Sequence, residues 1–310
     1  MEIGAHLPLM DFGDHPFTLD HLIRYSETAA RLGFVAVAAN DHLTFAVPWL
    51  DGPTALAAVL AHSGEMSLVT TVALPVLRGP VPLVKALGAI DRLSGGRLIV
   101  GVGPGSSDRD YAAVGIDFDE RWARIDEAVK TMRTLWRRDG SGFTGRFYST
   151  DGVSLEPGPM STDGPPVWIG SWGSPAGLRR VARLGDGWLA SGYNTTPALF
   201  AEAWAALGDL LIQEGKDPLV FQNALATMWC YITDDAAEAA RILEEKVAPA
   251  VHRPMDLLRD RLAVGPAERF AEQLNAFAAA GVQRVFIWPV ADETYQLERF
   301  VAEVLPLIDV

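Results

Sequence analysis

An apolar run at residues 34–39 gives way to Asn40-Asp41-His42. Imidazole changes charge near neutral pH, so a histidine leaving a strand beside a carboxylate is suited to acid/base work. The plainer reading is that Asp41 caps the following loop and His42 bonds backbone. Gly101-Val102-Gly103-Pro104-Gly105-Ser106-Ser107 closes another apolar run. Glycines let backbone N–H groups approach an anion, and the two hydroxyls add donors. The stretch is neither a P-loop nor a G-x-G-x-x-G, because it lacks Gly-Lys-Ser/Thr and its third glycine falls one position early. A tight turn explains it about as well. Ile169-Gly170-Ser171-Trp172-Gly173-Ser174-Pro175 leads from a third run into a helix, with Ser174 placed as N-cap and Pro175 as first helical residue. Such a helix start offers free N–H groups and a positive dipole end. Two glycine-bearing strand ends together favour a phosphate-bearing ligand more than either does alone.

Other residue types point to less. His6 lies within a strand, where a core histidine and a ligand-facing one are equally consistent. His15, His21, His62 and His252 have no motif around them, and no His/Asp/Glu cluster has metal-ligand spacing, so no metal is expected. The single cysteine, Cys230, supports neither a disulfide framework nor a Cys-based zinc site. There is no G-x-S-x-G, so a hydrolase nucleophile is unsupported.

Short apolar runs alternate along the chain with segments of helical period. Strands are expected at residues 2–7, 34–39, 67–73, 98–102, 167–169, 187–190, 220–232 and 284–288. Helices are expected at 18–32, 52–62, 81–93, 120–138, 175–184, 197–214, 235–246, 266–280 and 295–307. Residues 139–166 break the rhythm with a glycine- and proline-rich stretch and a short alternation around 143–148, read as an insertion holding a hairpin. Residues 247–264 are a second irregular stretch with some helix. Eight strands, each followed by helix, imply parallel strands joined by right-handed crossovers. The strands lack clean alternation, as strands buried on both faces do. An α/β fold of the (β/α)8 TIM-barrel type, one domain over residues 1–310 with an insertion at 139–166, accounts for this better than a doubly wound sheet. Chemistry then belongs at the C-terminal strand ends, where the three motifs fall. Arg92-Leu93-Ser94-Gly95-Gly96-Arg97 joins a helix to a strand at the opposite end and is read as stabilising.

Composition narrows the function. The 310 residues carry 26 Lys and Arg against 39 Asp and Glu, a net charge of −13. That balance argues against a nucleic-acid partner and against attachment to an anionic membrane surface. Apolar residues make up 49% of the chain, enough for a large core. No segment reaches the roughly 20 uninterrupted apolar residues of a membrane span, and the first residues lack the pattern of a secretory signal, so a soluble cytoplasmic protein is expected.

Asn40-Asp41-His42, Leu93-Ser94-Gly95-Gly96-Arg97-Leu98, the 101–107 run and Gly185-Asp186-Gly187-Trp188, in this order and spacing, resemble the bacterial-luciferase-like superfamily. The resemblance extends over residues 1 to about 190 and includes 120–136 and 166–170. It implies a TIM barrel with an insertion. It also implies an enzyme that uses either reduced FMN with oxygen or the deazaflavin F420 for hydride transfer. The Asp-His pair is similar to that of the F420-using branch, which includes F420-dependent glucose-6-phosphate and secondary-alcohol dehydrogenases. Carried over, His42 is the acid/base near the reactive ring, and Asp41 contacts the deazaflavin or orients His42. Thr71-Val72 falls where that branch has a non-prolyl cis peptide backing the ring. Gly103, Gly105, Ser106 and Ser107 hold the phosphate-bearing tail, and Ser171, Trp172 and Gly173 hold that tail or the ring edge.

The sequence departs from the sugar-phosphate dehydrogenases of the branch. Ser106-Ser107-Asp108 supplies no glutamate at its turn, and no basic residues match those that bind the substrate phosphate there. Met10, Phe45, Trp49, Trp172 and Trp229 favour an apolar or aromatic small-molecule substrate instead. The leading expectation is therefore an F420-dependent oxidoreductase. An FMN-dependent monooxygenase and a non-catalytic flavin-binding barrel are the alternatives. Arg78 and Arg109 are the cations expected near the phosphates, and a homodimer is expected from the resemblance and from surplus apolar residues on the helices.

Overall fold

The computed structural model describes residues 1–12, 17–251 and 253–309. His15 and His252 lie outside them. Nine strands are present among the described residues: β1 (Glu2–His6), β2 (Ala36–Ala39), β3 (Ser67–Ala73), β4 (Leu98–Val102), β5 (Val167–Gly170), β6 (Gly187–Ser191), β7 (Gln222–Ile232), β8 (Ala263–Gly265) and β9 (Arg284–Pro289). Strands β1 to β7 pair in chain order, all in parallel. β7 then pairs with β9, and β9 with β1, which closes eight strands into a ring. This is the expected (β/α)8 barrel. The ninth strand, β8, lies outside the ring on the end of β7, with Cys230 opposite Ala263. It falls in and just beyond the stretch read as irregular, because three residues are too few to show a period.

The helices begin α1 (Leu19–Arg31), α2 (Gly52–Val59), α3 (Pro75–Arg78), α4 (Pro80–Leu93), α5 (Asp108–Ala113), α6 (Arg121–Arg137), α7 (Pro175–Leu184) and α8 (Pro197–Gln213). Most match the apolar periodicity, but α3 and α5 were not expected. Pro75 starts α3, which stops after one turn at Gly79, φ +75°. The Ser107 hydroxyl starts α5 by accepting from Asp110 N at 3.2 Å, and Asp108 and Asp110 lie in its first, dipole-favoured turn. In the insertion the expected hairpin is reduced to one antiparallel bridge, Thr144 with Ser149. The insertion docks on α4 and α6, where Asp91 Oδ2 accepts from Met160 N and the Glu127 carboxylate from Arg146 N and Phe147 N. Two of the three helices expected near the C-terminus, 235–246 and 295–307, loosen into π geometry, at Ile242–Val247 and Phe300–Val304.

Ala36, Ala38, Val69, Trp168, Leu189, Ala224, Ala226 and Phe286 form a cluster distinct from the larger core. Small residues meet large ones in it. A Cβ on Gly4 would lie 2.5 Å from the Phe286 ring, and one on Gly101 would lie 2.0 Å from Thr70 O. The barrel is thus plugged by side chains, and a ligand can meet it only at a mouth. Two residues further on, on the same strand faces, β1, β2 and β9 present His6, Asn40 and Trp288.

Candidate active site

The C-terminal ends of β2 to β7 open onto a cavity of about 440 Å³, within the roughly 300–1,000 Å³ of small-molecule sites. Of the residues singled out in the sequence, Asp41, His42, Thr71, Val72, Gly103, Gly105, Ser106, Ser171 and Trp172 line it. Ser107 does not, because its hydroxyl caps α5. Gly173 is not in the lining either. It holds φ +85° between Trp172 and Ser174, which are, and its N–H bonds Ser171 Oγ at 3.2 Å. Met10, Phe45, Trp49 and Trp229 also stand outside this lining. Met10 and Trp229 are buried, Met10 bridges Trp49, and Phe45 and Trp49 pack on His42 with ring centroids 4.8 and 4.7 Å away.

His42 does not pair with Asp41. Its Nδ1 lies 2.9 Å from Oδ2 of Asp110, on α5, whose side chain is 1% exposed. The other Asp110 oxygen accepts from Thr44 N at 2.6 Å and Thr44 Oγ1 at 2.7 Å. An ionised carboxylate can only accept, so Nδ1 carries the proton and Nε2 is the nitrogen left to exchange one with a ligand. Burial alone would raise the Asp110 pKa. The bonds from His42 and Thr44 outweigh it and hold the carboxyl below the usual range. Sequence reading missed Asp110, although Ser107-Asp108-Arg109-Asp110 has the spacing of a helix N-terminus.

Asp41 lines the cavity, but its carboxylate pairs with Arg78. It is buried, accepts from Leu74 N at 3.3 Å, and takes Arg78 Nε at 2.7 Å and Nη2 at 2.6 Å. Arg78 also bonds Asp51, which caps α2 through Thr54 N at 2.9 Å. The bonds to Asp41, against the opposing effect of burial, push the guanidinium pKa further above its ordinary value. Arg78 is thus committed inside the protein and is not the free cation expected. Arg109 is exposed. The guanidinium in the cavity wall is that of Arg121, 3.8 Å over the Phe118 ring and bonded to Phe118 O at 2.8 Å.

The floor is built around Asn40 and Val72. Asn40 Oδ1 accepts from Asp41 N at 2.7 Å and from Val72 N at 3.1 Å, tying β2 to a bulge in β3. The Thr71-Val72 peptide in that bulge is cis, as the resemblance implied. Val72 is wedged between two glycines. A Cβ on Gly103 would stand 2.8 Å from Val72 Cγ2, and one on Gly170 3.0 Å from Cγ1. Thr71 Oγ1 is buried with no partner among the described residues. Across the cavity Thr227 takes φ +57°, a left-handed conformation unusual for a β-branched residue, at a register shift between β7 and β9. No sequence signal marks it.

Asp110 and Asp51 both have lowered pKa values. Burial opposes each shift, and hydrogen bonds prevail, from His42 and Thr44 on Asp110 and from Thr54 and Arg78 on Asp51. A depressed carboxylate contributes stability that is present above the unfolded pKa, about 3.9, and is lost as pH falls through the folded one. The urea midpoint is therefore expected to hold from neutrality down to about pH 5 and to fall below about pH 4. In Asp110→Asn the fall should be shallower; an identical fall would deny the carboxylate this contribution.

The family model described as luciferase-like monooxygenase matches residues 4–284. The chain is 30% identical over 249 residues to the F420-dependent hydroxymycolic acid dehydrogenase of Mycobacterium tuberculosis, covering 77% of this chain and 66% of that one. It is 26% identical over 343 aligned positions to the F420-dependent glucose-6-phosphate dehydrogenase of Intrasporangium calvum, covering 99% and 98%. Among solved structures, the monooxygenase RslO1 from Streptomyces bottropensis superposes with a TM-score of 0.85 at 24% identity, over 99% of each chain. An F420-dependent secondary alcohol dehydrogenase in complex with an F420-acetone adduct gives 0.86 at 18% identity, over 100% of this chain and 99% of that one. These two likenesses establish the shared fold. The barrel, the bulged mouth and the match over nearly the whole length lead to one assignment: the chain belongs to the luciferase-like monooxygenase family.

Proposed function

We propose that this protein is an F420-dependent oxidoreductase acting on a small apolar or aromatic organic substrate. The observation that carries the reading is the His42–Asp110 pair on a cavity floored by the Thr71-Val72 bulge. The curated relatives named above, called F420-dependent, support it. The residues present fit such a cofactor. Val72, clamped by Gly103 and Gly170, gives an apolar floor for a flat ring, and the unpartnered Thr71 Oγ1 lies beside it. Gly103, Gly105, Ser106, Ser171, Trp172 and Arg121 would hold the ring edge and the phosphate-bearing tail. When bound, the deazaflavin supplies a two-electron hydride carrier.

The chain's own task is then proton management. In the direction of alcohol oxidation, His42 Nε2 takes the hydroxyl proton as the carbinol hydrogen leaves as hydride. Asp110 keeps the Nδ1 proton in place and stabilises the imidazolium that forms. Trp49 and Phe45 flank the imidazole and limit water around it.

One observation favours a second reading, an FMN-dependent monooxygenase. The family model that matches residues 4–284 is described as a luciferase-like monooxygenase. Oxygen electrode traces separate the two. The protein with reduced F420 is expected to leave the oxygen level unchanged and, with reduced FMN, to add nothing to the free flavin's own oxidation. Protein-dependent oxygen uptake with reduced FMN, together with no F420 binding, would establish the second reading.

A further inference from the structure

The wall of the cavity across from the Thr71-Val72 floor is built where β6 ends and β7 bends. In the ring of eight, β7 stands four places from β3 either way round. On β7, Ala224 and Ala226 point into the barrel, so the alternation of a regular strand would turn Thr227 outward. Thr227 instead takes φ +57° where the pairing of β7 with β9 shifts between Leu225 and Met228, and it lines the cavity beside Ala226. Ser191, two residues beyond the inward-facing Leu189 on β6, shares that inner face, and its Oγ lies 3.1 Å from Thr227 Oγ1. Gly192 leaves room for the bend: a Cβ there would stand 3.2 Å from Ala226 O and 3.3 Å from Thr227 O.

A left-handed conformation is costly for a residue with a Cβ, and most of all for a β-branched one. Such strain persists only where the surrounding structure enforces it, and it collects at ligand sites. What the bend adds here is a second consecutive inward side chain and a chain of hydrogen bonds. Asn194 Nδ2 donates to Ser191 Oγ at 3.0 Å. The order that uses every proton continues from the Ser191 O–H to Thr227 Oγ1 and leaves the Thr227 O–H to donate into the cavity. Thr227 is partly exposed, which keeps that donor within reach of a ligand.

We propose that Thr227 is a ligand-binding residue, held in a strained conformation so that its hydroxyl donates to a carbonyl oxygen of the bound molecule. The proposal rests on the reading of this cavity as the ligand site of an oxidoreductase and adds a contact opposite its floor. The chain from Asn194 ends in a donor, so an acceptor fits there and an ammonium does not. The neighbours of Thr227 in the lining, Leu189, Ala190, Ser191, Tyr193 and Ala226, carry no charge, which suits a neutral carbonyl better than a carboxylate. Two carriers of that group can enter the cavity: the heterocyclic ring of the deazaflavin, and a ketone that is the oxidised form of the substrate.

The test compares Thr227→Val, Thr227→Gly and Thr227→Ser with the wild type. Each is read by its urea midpoint, by titration with F420, and by calorimetric titration with acetophenone in the presence and absence of F420. Thr227→Gly is expected to raise the midpoint above that of the wild type, because glycine takes a positive φ without strain, and Thr227→Val to stay at or below it. Thr227→Val and Thr227→Gly should bind the carbonyl carrier about 10-fold or more weakly, and Thr227→Ser within about threefold of the wild type. Weakened F420 binding places the carbonyl on the cofactor. Unchanged F420 binding with weakened acetophenone binding places it on the oxidised substrate. The proposal is overturned if Thr227→Val binds both probes as the wild type does, if Thr227→Ser loses as much as Thr227→Val, or if Thr227→Gly lowers the midpoint. Acetophenone binding that needs Thr227, in a protein that does not take F420, would retain the contact and reject the cofactor reading. F420 binding shared by the wild type and all three variants, with acetophenone equally unaffected, would do the opposite, and a wild type that binds neither probe would overturn both.

Discussion

His42→Ala is expected to lower kcat by about 10²–10⁴-fold, the usual contribution of a positioned acid/base group, while F420 still binds. The measurement is the change in F420 absorbance during turnover of an apolar alcohol that carries a carbinol hydrogen. Asp110→Asn should cost about 10-fold or more, through His42 and not through contact with the substrate. The 2.9 Å contact to Nδ1 fixes which imidazole nitrogen carries the proton. An asparagine can turn its NH₂ toward Nδ1 and stabilise the other tautomer. Imidazole ¹⁵N shifts of His42 should therefore report mixed tautomers in Asp110→Asn and a single Nδ1–H form in the wild type, a change that loosened packing alone would not give. An unchanged rate in His42→Ala would remove the imidazole from the mechanism.

Arg78→Ala is expected to destabilise the fold by about 3–5 kcal/mol, the cost of leaving a buried charge without its partner. Asp41 is 1% exposed and receives two of its three hydrogen bonds from Arg78. Asp51, at 40% exposure, is solvated and adds little to the loss. Removing both charges, in Asp41→Asn with Arg78→Met, should restore much of the stability, because the penalty is that of an uncompensated ion. Urea midpoints at constant m-value measure both. A loss under about 1 kcal/mol in Arg78→Ala would show that the pair is as weak as an exposed one.

What the sequence made legible was the repetition. Runs such as Ser67–Ala73 and Leu98–Val102 are strands because β-branched and aliphatic residues buried on both faces leave an unbroken apolar signature. Asn40, Asp41 and His42 were visible because they end such a run. The partner of His42 was not. Asp110 is 68 residues away on a helix of six residues, too short for a period. Adjacency suggested Asp41 instead, yet successive residues leaving a strand point apart, and Asp41 turns inward to Arg78. Arg121 was hidden for a related reason. It opens α6, a helix whose apolar stripe drew attention to its buried side. The left-handed Thr227 and the stack of His6 on Trp288 depend on strand register, which composition does not encode.

The central claim is that the mouth framed by β2, β3, β4 and β5 holds the deazaflavin. Its most direct test is an F420 fluorescence titration of the wild type, His42→Ala and Gly103→Val. A side chain at Gly103 would meet Val72 Cγ2 at 2.8 Å and displace the cavity floor. The account predicts saturable binding that His42→Ala leaves within about threefold and Gly103→Val weakens by about 100-fold or more, as loss of a preformed pocket would. Wild-type protein that fails to bind F420, or Gly103→Val that binds it as tightly as the wild type, would contradict it.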